Sequence, residues 1–212
     1  MNNAACLTVW EPAEISLVEK KSEFIANVFP CETEEKALAR IASVRERHRD
    51  ARHVCFAYSA DFGQRTRMSD DGEPSGTAGV PILNLIRQNG LCNVCVTVTR
   101  YFGGILLGAP GLVRAYSASA RDALAAAGRA EYRTLARFRL PLAYGEYERI
   151  RTLIEKNGAE QERADFAERV ELIYSVGEER APALSALLSE TSGGKLIPQQ
   201  LGTSRVKRKL TQ

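Results

Sequence analysis

The sequence predicts an α+β protein of two successive units. Three observations carry that expectation. Apolar periods of two and of about 3.6 residues alternate along the chain. Glycines close the helical stretches, as at Gly90, Gly128 and Gly158. The second half reads strand–helix–strand–strand–helix–strand, the βαββαβ order of a ferredoxin-like domain.

In the first half, residues 14–29 read as strand, polar turn and strand, with Pro30 stopping the second. Thr33 has the chemistry of a helix N-cap, and Glu34 and Glu35 fall in the first turn, where the macrodipole favours acids. Ala37, Leu38, Ile41, Ala42 and Val44 supply an apolar stripe, and Arg45, Arg47 and Arg49 a basic C-terminal end. Residues 53–58 are almost wholly apolar and so read as a central strand. Residues 59–78 read as a loop. Pro81 tolerates a first helical turn, Ile82, Leu85 and Ile86 give its buried face, and Gly90 closes it. Residues 93–101 form a second β-rich run. Pro110 then opens a long helix over 110–127. The sum is ββαβαβα, a sheet covered by helices.

The second half places strands at 137–143, 159–166, 169–176 and 195–201, with helices at 147–156 and 182–191. The expected division is residues 1–130, residues 134–204 and a basic tail, 205–212. The tail carries Arg205, Lys207, Arg208 and Lys209. A solvated, frayed terminus is the expectation, with contact to RNA or an acidic partner as the alternative.

Of the 212 residues, 44% are hydrophobic and 26% charged, and the net charge is +3. That is ordinary globular usage, and so mild a charge does not by itself predict a nucleic-acid partner. Five cysteines, an odd number, make no disulfide framework. Cys92 and Cys95 have CxxC spacing, but on a strand side chains three apart point to opposite faces. Buried, reduced thiols are expected, with no metal and no cofactor. No apolar run approaches the roughly 20 residues that span a bilayer, and no signal peptide is visible. A cytoplasmic protein without membrane contact is expected.

Two glycine-rich, charged segments stand out: residues 67–79, with Arg67, Asp70, Asp71 and Glu73, and residues 99–117, with Arg100, Tyr101, Gly103, Gly104 and Arg114. The second is a glycine-rich strand-to-helix connection, a place where backbone N–H groups can meet an anion. Its spacing fits neither GxGxxG nor a P-loop. Tight turns with a structural arginine are the equal alternative to a ligand or partner surface. The acids of the first segment do not follow a Ca²⁺ loop. They are expected to pair with Arg67, Arg100 or Arg114 and so to tie both segments into one surface. His53 reads as a hydrogen-bonded strand histidine. No GxSxG elbow accompanies Ser75 or Thr77, so acyl transfer has little support.

The two segments, together with residues 21–25, 51–58 and 81–83, resemble the signature of the IMPACT family, in the two-domain layout of its bacterial members. The resemblance implies an N-terminal domain similar to the second domain of ribosomal protein S5. It also implies a C-terminal, ferredoxin-like domain similar to one in elongation factor G. Eukaryotic relatives restrain a nutrient-sensing translation kinase. For this chain the expectation is a non-enzymatic, translation-linked protein that contacts RNA, the ribosome or a protein partner. Its contacts would be Arg67, Asp70, Asp71, Glu73, Arg100, Tyr101, Gly103, Gly104 and Arg114. The alternative is an enzyme or small-ligand binder for a phosphorylated metabolite or nucleotide at the same surface.

Overall fold

A computed structural model describes residues 6–210. It has two compact units. One runs up to Tyr132 and takes in the chain again from Lys207; the other is Arg133–Val206.

The first unit is built on an antiparallel sheet of five strands. They are β2 (Ala13–Glu19), β3 (Ser22–Pro30), β4 (His53–Ala60), β5 (Arg65–Ser69) and β6 (Val94–Tyr101), in the order β2-β3-β6-β4-β5. The three central strands are buried on both faces, which is why their sequences lack a clean polar alternation. One face carries α2 (Gly79–Gln88) and α3 (Gly108–Ala126). Its core joins Phe24, Ala26, Val96 and Val98 to Ile82, Leu112 and Tyr116. The other face carries α1 (Glu34–Arg47), where Ala37 and Ile41 pack on Phe56, Tyr58 and Cys95. Thr33 caps α1 as expected, its hydroxyl accepting from the Lys36 amide at 3.3 Å.

The second unit holds α4 (Tyr147–Lys156), β8 (Glu160–Phe166), β9 (Val170–Gly177) and α5 (Ala181–Thr191). Strand β7 (Arg129–Leu142) leads into it and β10 (Gln199–Lys209) leads out. β7 pairs with β9, β9 with β8, and β10 with β7, so the βαββαβ order is realised. Leu140, Ile150, Ile154, Leu172 and Leu188 fill its core.

Four features depart from the sequence reading. Strand β5 lies inside the stretch read as loop, and its side chains are so exposed that no apolar pattern marks it. Strand β1 (Cys6–Val9), too short to carry a sequence pattern, pairs with the first four residues of β7. The basic tail is not frayed, since Arg205, Lys207, Arg208 and Lys209 lie in β10. Lys207 Nζ donates to the Trp10 carbonyl at 2.6 Å, and the ammonium groups of Lys207 and Lys209 sit 5.3 and 5.8 Å from the Trp10 ring centre.

The fourth concerns the thiols. Cys6 is bonded to Cys92 as a disulfide, with Cα atoms 6.0 Å apart. A strand too short to show a pattern brings Cys6 there, which is why the pairing was not legible. Cys92 and Cys95 do diverge: Cys95 is buried in the α1-side core with Cys31. Among the described residues no cluster of three His, Cys, Asp or Glu side chains could hold a metal ion. None of the helices there is long and apolar enough to cross a membrane.

Candidate functional site

The first glycine-rich segment connects β5 to α2. Its hub is Asp70. One carboxylate oxygen accepts from the Gly76 amide at 2.9 Å, the other from Ala78 and Gly79 at 3.0 and 2.8 Å. The last two amides belong to the start of α2, where orphan N–H groups need a partner and no local side chain caps. Asp70 therefore caps a helix from eight residues upstream. Burial alone would raise its carboxyl pKa, but the amide donors outweigh it and hold the group below the usual range.

Asp71 ties the segment to two further elements. Its carboxylate accepts from the Val54 amide at 2.8 Å and from Arg45 of α1 at 2.7 Å. Its main-chain carbonyl accepts from His53 Nδ1 at 2.8 Å, so His53 is the hydrogen-bonded strand histidine expected.

Glu73 and Arg100 join the two segments. Arg100 Nη1 donates to Glu73 Oε1 at 2.7 Å, and the Tyr116 hydroxyl donates to the same oxygen at 2.9 Å. Glu73 is 8% exposed and Arg100 7%. The Arg100 guanidinium also lies 5.5 Å from the ring centres of Phe24 and Phe102. Its Nη2 is 3.4 Å from Ser22 Oγ, and its Nε has no partner among the described residues. Beneath this brace lies Cys55, whose thiol donates to the Asp70 carbonyl at 2.9 Å. Burial pushes that thiol up to about 12, with Glu73, Asp71 and Asp70 adding to the rise. It stays protonated near neutrality and is a poor nucleophile.

Gly103 is required by a close approach. A Cβ there would lie 1.9 Å from the Lys21 carbonyl oxygen. Its amide donates to Ser22 Oγ at 3.2 Å, so the loop after β6 is clamped onto the β2–β3 turn. Gly104 follows with φ +84°, a left-handed turn that favours glycine. Gly103→Ala is expected to cost about 1–3 kcal/mol by overpacking, read by urea unfolding.

The expected single surface is thus divided. Asp70, Glu73, Arg100 and Gly103 form an internal brace on the α2–α3 side of the sheet, and Asp71 ties it to β4 and to Arg45 of α1. Tyr101 follows Arg100 on β6 and so points to the opposite face. There its hydroxyl lies 3.0 Å from His48 Nδ1 and 3.1 Å from Asp50 Oδ1. Arg67 is on that α1 side as well, in a groove with Leu38, Ile41 and Phe56. Arg114 is exposed on α3 and pairs with none of the acids of the first segment.

Sequence reasoning missed Lys20 and Lys21, the two-residue turn between β2 and β3. Both are exposed, with φ +45° and +64°. Non-glycine residues seldom occupy that region, and two adjacent lysines there are the signal available in the turn. Gly103 holds this turn against the loop 102–107, where Phe102 is 51%, Ile105 42% and Leu106 82% exposed. A groove of about 260 Å³, lined by Lys20, Leu107 and Arg114 and by the exposed Glu19, continues the patch. Three cations and three exposed apolar side chains therefore share one end of the first unit.

Comparison with known proteins places the chain. The Impact N-terminal domain matches residues 20–124, and a domain of unknown function, DUF1949, matches residues 140–195. IMPACT family member YvyE of Bacillus subtilis is 35% identical over 189 residues, covering 89% of this chain and 87% of that protein. IMPACT family member YigZ of Escherichia coli is 35% identical over 189 residues, 87% of this chain and 93% of that one. A solved structure described as that of a hypothetical protein superposes with a TM-score of 0.61 at 33% identity, covering 92% of this chain and 96% of the other. The two matched domains and near full-length identity above 30% show that the chain belongs to the IMPACT family.

Proposed function

We propose that this protein is a translation-linked binding protein that holds RNA, in the setting of the ribosome, on the surface formed by Lys20, Lys21, Phe102, Ile105, Leu106 and Arg114. The observation that carries the reading is the patch itself: cations and exposed apolar side chains on a turn and a loop locked together at Gly103. Lysine and arginine neutralise phosphates, and the open face of Phe102 offers a base a stacking platform. Arg100 does not contact phosphate in this account. It is buried, spent on Glu73, and supports the Phe102 ring from beneath.

The acids of the first segment have a matching role. Asp70 and Asp71 fix the loop that carries Glu73, and Glu73 fixes Arg100. The segment is scaffold rather than contact surface. A phosphorylated small molecule suits the patch less well than a polymer, because the groove beside Arg114 is about 260 Å³ and ligand pockets usually run from about 300 to 1,000 Å³. Cosedimentation with ribosomes over a range of salt tests the reading. Association at low salt that declines steeply as salt rises is expected; no association at any salt sinks it.

A further inference from the structure

We infer that the outer edge of β5, with the groove between it and α1, is a docking site for an extended acidic peptide segment that adds to the sheet as a sixth strand. This goes beyond the RNA reading and uses the opposite face of the sheet.

Among the described residues strand β5 is outermost in its sheet and pairs with β4 alone. Its other edge presents unpaired N–H and C=O groups, a template for another strand. Arg65, Thr66, Arg67 and Met68 are all exposed, although the start of α2 approaches Met68 and Ser69 from the other face. Beside it runs a groove of about 380 Å³ whose apolar floor is Leu38, Ile41, Ala42 and Phe56. Leu38 of this floor is 42% exposed, although apolar. A strand laid along β5 would send alternate side chains toward this floor, which is how added strands gain side-chain specificity.

The charges choose the occupant. Arg45 and Arg67 line the groove; Arg45 is paired with Asp71, so the exposed Arg67 is the cation offered to an occupant. Arg65 lies on the same strand, two residues from Arg67, and so on the same face. Antiparallel pairing with a second copy of β5 over all five residues would set Arg67 against its own copy. Like charges directly opposed destabilise a pair, so the edge resists self-association. A segment whose every second residue is in turn acidic and β-branched puts both kinds of side chain on the one face that meets the arginines and the apolar floor.

The probe is a capped peptide of about seven residues, a typical strand length, with glutamate and valine taking turns at every second position and threonine between them, so that both face the groove. Amide chemical shifts of the full-length protein are followed during titration. Shifts confined to β5 and the facing side of α1 are expected. Methylating alternate peptide nitrogens, which removes the ladder donors, is expected to abolish them. So is the double change Arg65→Glu/Arg67→Glu, at exposed positions, with the melting temperature of the protein unchanged. No shift in β5 up to about 1 mM peptide, the affinity of a barely specific contact, overturns the inference. Full binding of the methylated peptide overturns it too, since charge alone would then suffice. If oligouridylate shifts the same amides and the peptide does not, this edge is an RNA surface and the inference fails.

Discussion

Glu73→Ala is expected to cost about 3–5 kcal/mol of stability, because it leaves the Arg100 guanidinium buried and unpaired. The side chains of the pair are only 3% and 7% exposed, so water cannot take the place of the carboxylate without opening the site. Tyr116 loses the acceptor of its hydroxyl in the same step. Burial holds that hydroxyl far above its ordinary pKa, so it remains a donor and needs an acceptor. For a chain of this length the melting point should fall by roughly 6–20 °C. Glu73→Leu combined with Arg100→Met is expected to recover much of the loss, since replacing a whole buried pair by apolar groups is often close to neutral. Thermal unfolding of the three proteins checks this. A loss below about 1 kcal/mol for Glu73→Ala would mean that Arg100 is not held as described.

Asp70→Ala is the second large effect. It removes the acceptor for three amides at once, two of them at the start of α2. At about 1 kcal/mol for each net hydrogen bond the loss is about 3 kcal/mol. The effect has a sign in pH. The folded carboxyl is held below its ordinary value, so the unfolded chain binds the proton more readily. The contribution of Asp70 is therefore complete above the unfolded pKa of about 4 and is lost as pH falls through the lower, folded value. Urea unfolding at several pH values should show the gap between wild type and Asp70→Ala closing below pH of about 4. A gap independent of pH would exclude the capping role.

How much of this was legible follows from the same contacts. Helix α1 was readable end to end because its cap, acids, stripe and basic end all agree. Strand β5 was not, since an exposed edge strand of Arg-Thr-Arg-Met-Ser carries no apolar alternation. The two glycine-rich segments do meet, as their opposite charges suggested, through Glu73 and Arg100. Composition could not show that the meeting is buried. Strand alternation could have separated Arg100 from Tyr101, because consecutive strand residues face opposite ways. Lys20 and Lys21 read as a polar turn, and only the contact of Gly103 with the Lys21 carbonyl makes them part of a surface.

The central claim is that the segment carrying Asp70 and Glu73 is a brace, while Lys20, Lys21 and Arg114 make the contact. The most direct measurement is the salt dependence of RNA affinity for wild type and for Lys20→Ala/Lys21→Ala/Arg114→Ala. Each lost phosphate contact on a single strand flattens the log–log slope by about 0.7. The triple variant should therefore bind more weakly, with a slope shallower by about 2 and a melting temperature like that of wild type. An unchanged slope and affinity would contradict the account.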